Sequence, residues 1–254
     1  MSLLMRASRL AAAALVTVFA LAPAPAHADP NALWTIVHDQ CVPNQQQHGA
    51  PAPCAEVDLQ GGYAVLKDLV GATQFLLIPT ARISGIEDPA VLAPDAPDYF
   101  AAAWRARTFV EQRAGQPLPR DLISLAINSA AARTQNQLHI HVDCVRTDVR
   151  EALGRNISAV GPEWTTFPEP LVGQRYEAMV VAGENLDGVD PFRLLANDVP
   201  DMGAETLVAV GTHLADGGPG FVLLANSAAD GGGGHGEDLQ DHDACPPPPG
   251  TWSK

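Results

Sequence analysis

The chain has 254 residues, of which 46% are hydrophobic, so it is long enough and apolar enough to bury a substantial core. Its formal net charge of −14 argues against nucleic acid as a bulk electrostatic partner, although a single nucleotide in a small pocket stays compatible with that charge. Glycine and proline, at 22 residues each, favour irregular connections and strands over helices.

Residues 1–28 have the pattern of an export signal. Arg6 and Arg9 precede an apolar run from Leu10 to Leu21, and Ala26-His27-Ala28 has the small-residue spacing of a cleavage site. The run is shorter than the roughly 20 residues that a membrane-spanning helix needs. We predict cleavage before Asp29, with an uncleaved signal anchor as the alternative, and location in the periplasm or cell envelope in both cases.

An exported chain meets an oxidising compartment, where an even set of cysteines favours disulfides. The four cysteines, Cys41, Cys54, Cys144 and Cys245, allow three pairings. We favour Cys41 with Cys54, which closes a short loop, and Cys144 with Cys245, which would pin the C-terminal tail to an interior strand. A metal site built from these cysteines is disfavoured because no CxxC spacing is present.

Hydrophobic periodicity and capping residues predict an α+β fold. The clearest helix begins after Asp98, which can cap it, and ends before Gly115. Helices are predicted over 31–41, 98–114, 148–153 and 191–197, strands over 54–59, 63–68, 74–79, 122–128, 175–181, 206–210 and 221–226, and loops over 42–53 and 164–170. Gly61-Gly62 suits a hairpin turn.

The domain organisation follows from these elements. Residues 29–228 are expected to form one domain, with a core over 29–155 and a β-rich extension over 156–228. A Gly/Pro-rich acidic tail follows over 229–254, and its segment from Glu237 to Cys245 can dock if Cys245 is bonded.

The chemistry is concentrated in His139-Ile140-His141-Val142-Asp143. Alternate residues of a strand share a face, so His139, His141 and Asp143 are predicted to project together while Leu138, Ile140, Val142 and Cys144 enter a core. Two imidazoles and a carboxylate on one face need partners when they are buried, which favours a site over a piece of core. The strand over 122–128 and this strand are joined by a short loop and are predicted to pair antiparallel.

The segment from Leu125 to Asp143 resembles the histidine triad family. Asn128 lies eleven residues before His139, and Gln135 lies four residues before it; both offsets match the family's signature around His-x-His-x-His. The resemblance implies a histidine-triad-like antiparallel sheet with packed helices and a C-terminal β-rich extension.

Within that superfamily the chain resembles the CDP-diacylglycerol pyrophosphatase branch. The matching segments are QCVPNQ at 40–45, PCAEVD at 53–58, YAVLKD at 63–68, SLAINS at 124–129, RTQNQLHIHVDCVRTDVR at 133–150, FVLLAN at 221–226 and DHDAC at 241–245. Two departures from the superfamily matter. The third triad position is Asp143, which fits the branch, and Gln74 and Arg82 stand where many members carry histidines.

The resemblance implies hydrolysis of CDP-diacylglycerol to CMP and phosphatidate through a nucleotidyl-histidine intermediate, without a metal or another cofactor. His141 is the implied nucleophile, with its other ring nitrogen donating to a backbone carbonyl, and His139 contacts a phosphate oxygen. Asn128 and Gln135 can donate to phosphate. Lys67 is the preferred cation for that phosphate, ahead of Arg82 and Arg133, and the role of Asp143 is left open.

Three alternatives remain at this level: a metal-dependent HxHxD hydrolase, which the Cys144 that follows Asp143 disfavours, a hydrolase of other nucleoside diphosphate-linked substrates, and a non-catalytic nucleotide-binding module. A lipid substrate implies peripheral membrane contact, through an apolar pocket mouth or the anchor. His38, His213, His235 and His242 have no motif context and are predicted to be surface or tail histidines. The sequence indicates no oligomeric state.

Overall fold

The computed structural model describes residues 29–231, 233–243 and 245, so the predicted export signal lies outside the described residues. Nine strands form one fully antiparallel sheet in the order β1-β2-β3-β5-β4-β8-β9-β7-β6. The strands are β1 Glu56–Asp58, β2 Tyr63–Lys67, β3 Phe75–Pro79, β4 Ile123–Ile127, β5 Ile140–Cys144, β6 Thr165–Thr166, β7 Glu177–Ala182, β8 Glu205–His213 and β9 Pro219–Ser227. The helices are α1 Ala32–Ile36, α2 Val42–His48, α3 Tyr99–Ala114, α4 Thr147–Asn156 and α5 Pro191–Ala196. The α+β prediction is confirmed.

Strands from the second half of the chain extend the sheet of the first half. β8 pairs with β4, and β9 and β7 follow it outward, so that the histidine-bearing strand β5 lies inside the sheet between β3 and β4. The predicted antiparallel pairing of the 122–128 strand with the histidine strand is confirmed.

One face of the sheet packs on α3. This helix begins after Asp98, whose side chain accepts a hydrogen bond from the Ala101 amide, and it ends at Gly115 in the left-handed conformation (φ 73°), as predicted. The apolar core between α3 and the sheet includes Leu138, Ile140, Val142 and Cys144, which are the residues predicted to point inward.

The opposite face carries two separate apolar clusters with a polar gap between them. The gap is visible in one row of cross-strand partners, which reads Leu66, Leu76, His141, Ala126, Val208, Leu224 and Ala178. Leu66 and Leu76 belong to a cluster with Leu33 and Val37 of the N-terminal helices, whereas Ala126 and the residues beyond it belong to a cluster with α4 and Leu239. His141 is thus the polar member of an otherwise apolar row.

The prediction of a loop over 42–53 is wrong in its first half. A π-helical turn over Val37–Cys41 continues α1 into α2, which contains Pro43 and ends at Gly49. Pro43 is the second residue of α2 and lies directly after the π-helical turn, where the i→i−4 hydrogen bonding of an α-helix is already interrupted. The predicted loop over 164–170 likewise contains the short strand β6.

Both favoured disulfides are present, Cys41–Cys54 and Cys144–Cys245, and they indicate an oxidising environment for the folded chain. The second bond joins the end of β5 to a segment that follows β9, which we call the C-terminal strap (residues 233–243 and 245). Within the part of the chain that the structure describes, no helix combines the length and the apolar character required to cross a bilayer.

Candidate active site

His139, the residue before β5, and His141 within β5 project from the same side of the chain into the polar gap. Their ring centroids are 4.8 Å apart and their planes meet at 64°. Both side chains are almost completely buried, with exposed fractions of 8% and 5%. The prediction from strand alternation that they share a face is confirmed.

Three side chains surround Nδ1 of His141. The amide nitrogen of Gln74 lies at 2.5 Å, a carboxylate oxygen of Glu237 at 3.2 Å and one of Asp68 at 3.9 Å. Gln74 Nε2 also donates to Asp68 at 2.9 Å, so the end of β2 and the start of β3 are joined beside the histidine. The expected backbone-carbonyl partner is found at the other histidine, where Nδ1 of His139 lies 2.7 Å from the Gln137 carbonyl oxygen.

Nε2 of His141 is buried and has no hydrogen-bond partner. Burial, with an additional contribution from the nearby His242, lowers the pKa of His141 to about 3. Burial also lowers the pKa of His139 to about 4, with His141 adding to the effect. Both rings are therefore neutral near pH 7, which keeps a nitrogen lone pair available on each.

The C-terminal strap closes the polar gap from above. Its backbone binds β4 and β5 at both ends, since Ser129 N donates to Gly234 O and Asp241 N donates to Cys144 O. Gln240 is buried against the strands, and its Nε2 lies 3.0 Å from Ser124 Oγ and 3.1 Å from the His141 carbonyl oxygen. The strap is therefore part of the site.

Asn128 and Glu237 form a reciprocal pair. The Asn128 amide donates to one oxygen of Glu237 at 2.9 Å, and its own oxygen accepts from the Glu237 backbone N–H at 3.2 Å. The other carboxylate oxygen faces His141. Asn128 thus reaches His141 through Glu237, instead of presenting a free amide to phosphate.

His242 contacts the residues that surround His141. Its Nδ1 lies 2.8 Å from Oε1 of Gln74, and its backbone carbonyl accepts from the Ala72 N–H at 3.0 Å. The prediction that it belongs to the surface or tail without a site context is wrong, because the disulfide at Cys245 brings it beside the histidine strand.

Two of the predicted phosphate ligands are engaged elsewhere. Gln135 binds the start of the N-terminal helical segment, where it accepts from Leu33 N and donates to Asp29 O. Lys67 donates to the carbonyl oxygens of Asp68 and Gly71, in the loop that follows β2. Burial lowers the pKa of Lys67, and the neighbouring Arg113 lowers it further.

The two arginines considered beside Lys67 differ in position. Arg82 contacts Asn31 and lies over the ring of Trp34, on the N-terminal helices. Arg133 makes a two-pronged ion pair with Glu87, with both distances at 2.6 Å. Together with Asn128, Gln137 and His139, Arg133 borders a small cavity that has room for about one water molecule.

Asp143 lies on the predicted face but is bonded away from the histidines. Its Oδ1 accepts from Thr73 Oγ1 at 2.6 Å, while its Oδ2 is buried without a partner. Burial raises the pKa of Asp143 to about 6, which the Thr73 hydrogen bond opposes. Among the described residues, the compact cluster of metal-ligand types is Asp143 with Cys144 and Cys245, whose sulfurs are bonded to each other, so no ligand set forms from His139, His141 and Asp143 together.

Glu237, Gln240 and His242 escaped prediction because the tail sequence around them is rich in glycine and acidic residues. The available signal was Cys245, since a disulfide to Cys144 places the preceding residues over β5. Asp68 and Gln74 were inside recognised segments, but their contact with His141 depends on the sheet register that sets Leu76 opposite His141.

Comparison with known protein families accounts for nearly the whole chain. Residues 28–246 match the family model described as CDP-diacylglycerol pyrophosphatase, and this range includes β5 and the whole C-terminal strap. The family's activity implies CDP-diacylglycerol as the substrate. Because the family is one of enzymes, the match contradicts the alternative of a non-catalytic binding module. The chain therefore belongs to the CDP-diacylglycerol pyrophosphatase family and is a hydrolase that acts on a phosphoric anhydride bond.

Proposed function

We propose that the protein hydrolyses CDP-diacylglycerol to CMP and phosphatidate through a nucleotide attached to His141, on a histidine-triad-like sheet. The observation that carries this proposal is the pairing of a neutral, buried His141 with Glu237 at Nδ1 and an unpartnered Nε2. The antiparallel sheet and the Asn128 offset agree with the histidine triad resemblance.

Glu237 sets the tautomer of His141 in this scheme. Two neighbours of opposite character compete for Nδ1: the Gln74 amide nitrogen at 2.5 Å can only donate and favours a proton on Nε2, whereas the Glu237 carboxylate at 3.2 Å can only accept and favours a proton on Nδ1. The scheme uses the tautomer that Glu237 favours, in which Gln74 turns its amide nitrogen away from Nδ1 and the lone pair lies on Nε2. The opposite tautomer would bury an N–H donor at Nε2 without a partner, at a cost of about 1–3 kcal/mol. The carboxylate also offsets the positive charge that the ring gains when Nε2 forms a bond.

The reaction has two displacements. Nε2 of His141 attacks the phosphorus that bears the cytidine, the bond from this phosphorus to the bridging oxygen breaks, and phosphatidate leaves with the electron pair. Water then attacks the same phosphorus, the bond from phosphorus to Nε2 breaks and returns its electron pair to the ring, CMP departs, and the proton from water passes to solvent. Because carboxylates crowd Nδ1, the pyrophosphate binds on the Nε2 side of the ring in this scheme, and His139, whose ring centroid is 4.8 Å from that of His141, is close enough to contact it.

The candidate active site is closed to a substrate of this size. Nε2 of His141 is shielded, and the cavity beside His139 holds about one water molecule. Substrate entry therefore requires displacement of side chains or of the strap. The strap is the covering element held through one disulfide and a few hydrogen bonds, so its displacement leaves the sheet intact.

Isotope labelling tests the proposal. Mature protein is incubated with CDP-diacylglycerol in EDTA and heavy-oxygen water, and the expected products are phosphatidate and CMP that carries the heavy oxygen. A substrate radiolabelled at the cytidine-side phosphorus should leave a label on the protein that is stable to alkali and lost in acid. His141→Ala should abolish both turnover and the labelled protein, whereas His139→Ala should keep the labelled protein and turn over slowly.

The contrary outcomes are distinct. Heavy oxygen in phosphatidate would place attack at the other phosphorus. Label retained by His141→Ala and lost by His139→Ala would assign the nucleophile to His139, whose Nδ1 has the carbonyl partner. Activity that is absent in EDTA and restored only by zinc would favour the metal-dependent alternative. Faster turnover of water-soluble CDP-alcohols than of CDP-diacylglycerol would favour the soluble-substrate alternative.

A further inference from the structure

The loop between β2 and β3 exposes apolar side chains beside the active site. Leu69 is fully exposed and Val70 is 60% exposed, and of the large hydrophobic residues in the described chain they are the two most exposed. They are consecutive and occupy the tip of a turn. Scattered exposed hydrophobic residues are common on protein surfaces, so the position of this pair carries the argument.

The loop forms a wall of the site. Asp68 at its start lies 3.9 Å from His141 Nδ1, and Gln74 at its end lies 2.5 Å from the same atom. Between them, Ala72 N donates to the His242 carbonyl and Thr73 donates to Asp143. A surface that binds Leu69 and Val70 would therefore lie next to the polar gap.

The turn is rigid enough to present its tip. Lys67 donates to the carbonyl oxygens on either side of it, at Asp68 and Gly71, and Asp68 Oδ1 accepts from Val70 N. Gly71 has φ 73°, and a side chain there would meet Cβ of Gln74 at 2.9 Å. Leu69 and Val70 thus remain exposed while the Val70 N–H and the carbonyl oxygens of Asp68 and Gly71 are already paired, which lowers the cost of placing these groups near an apolar medium.

The charge around the tip is locally favourable. Lys67 and the exposed Arg113, which donates to the Ala72 carbonyl, lie at the base of the loop in a chain whose net charge is −14. The carboxylate of Asp68 is occupied by Val70 N and Gln74. An apolar tip above two cations matches a layer of acyl chains beneath phosphate headgroups.

We propose that Leu69 and Val70 enter the surface of the lipid layer that holds the substrate, and thereby bring the histidine gap to the headgroup. This inference rests on the lipid substrate of the proposed function. CDP-diacylglycerol has a polar head and two acyl chains. The loop carries the apolar Leu69 and Val70 between Asp68 and Gln74, which both lie beside His141. The pair acts in docking and does not touch the reacting phosphorus.

The test uses a matched pair of leucines. Leu69 lies just after the end of β2, and Leu59 lies shortly before its start. Leu59 is 47% exposed. Leu69→Ser with Val70→Ser is expected to weaken binding to phosphatidylcholine vesicles about tenfold or more in a sedimentation assay, since two apolar side chains lose their burial. Leu59→Ser should bind as the wild type does.

Activity supplies the second measurement. On vesicles that contain CDP-diacylglycerol, the Leu69 and Val70 variant should show a raised apparent KM. On a short-chain, water-soluble CDP-diacylglycerol analogue its kcat and KM should match the wild type, which also shows that the variant is folded. A wild-type enzyme that cleaves neither substrate would refute the proposed function, whereas wild-type-like vesicle kinetics of the variant would refute the docking role alone.

A tryptophan probe reports the depth of insertion. Leu69→Trp should show a blue-shifted emission with phosphatidylcholine vesicles and quenching by brominated acyl chains, relative to the wild-type background, whereas Leu59→Trp should show neither. Absence of both effects at position 69 would overturn the proposal. Concentration-dependent dimerisation that is lost in the Leu69 and Val70 variant, with vesicle binding unchanged, would also overturn it, because the pair would then serve a second copy of the chain.

Discussion

Oε2 of Glu237 lies 3.2 Å from Nδ1 of His141, and Oε1 of the same carboxylate accepts from Asn128. The relay joins the end of β4, the strap and β5. We expect Glu237→Gln to lower kcat about 100-fold with little change in KM, because the carboxylate that favours a proton on Nδ1 over the donor Gln74 is lost and the charge of the ring is no longer offset. Steady-state measurement of CMP release gives both constants.

Asp238 provides the matched control for this change. It is the next residue of the strap and is exposed, so Asp238→Asn removes one carboxylate from the same segment without touching His141. Its kcat should stay close to the wild-type value. Equal losses in the two variants would assign the effect to the net charge of the strap, and wild-type kcat in Glu237→Gln would remove Glu237 from the mechanism.

The buried histidines predict acid sensitivity of the fold. Their pKa values are lowered to about 4 for His139 and about 3 for His141, from 6.5. Between about pH 6.5 and 4 the unfolded chain therefore binds up to about two protons that the native state does not, so this contribution to stability is lost as the pH falls. Urea unfolding across this range measures the slope, and His139→Gln should reduce it by about one proton. An unchanged slope would contradict the burial of a neutral His139.

Asp143 predicts the opposite sign. Burial raises its pKa to about 6, so the native state binds the proton more tightly and loses stability as the pH rises from about 3.8 through 6. Asp143→Asn keeps an acceptor for Thr73 and removes the buried charge. We expect the free energy of unfolding to rise by about 1–2 kcal/mol near pH 7.5 and to change little near pH 4. A loss of stability near pH 7.5 would show that the Asp143 carboxylate is needed as an anion.

We predict that both disulfides contribute to stability but that only one of them is needed for full activity. Cys144–Cys245 spans 101 residues and Cys41–Cys54 spans 13. Loop-closure entropy gives about 4.7 kcal/mol for a loop of the first size and about 3 kcal/mol for one near the second. Replacement of both members of a pair by alanine should therefore destabilise either variant, but kcat should fall strongly only without Cys144–Cys245, because that variant loses the tether of Glu237 and His242. Equal kcat in the two variants would separate the strap from catalysis.

Much of the scaffold followed from local patterns. Alternation placed His139, His141 and Asp143 on one face, and caps at Asp98 and Gly115 delimited α3. Such patterns depend on neighbours in sequence. The helical run through Pro43 was missed because proline and glutamine in the segment favoured a loop, whereas Pro43 stands where the π-helical turn passes into α2 and the i→i−4 bonding is already interrupted.

The partners of His141 depend on long-range pairing, which a local pattern does not contain. Gln74 and Asp68 arrive through the register of β2, β3 and β5, and Glu237 arrives through the strap. Gln135 matched its motif offset, yet its amide is bound to Leu33 and Asp29. The residue type at a motif position was thus predictable, while its hydrogen-bond partner required the packing of the N-terminal helices.

The bond between Cys144 and Cys245 also has a consequence for when the enzyme matures. A newly made chain in a reducing cytosol keeps these two thiols apart, so Glu237 and His242 have no covalent tie to the histidine strand. The site is then completed only after oxidation. The covalent tie that holds Glu237 and His242 beside His141 is therefore available only in an oxidising compartment.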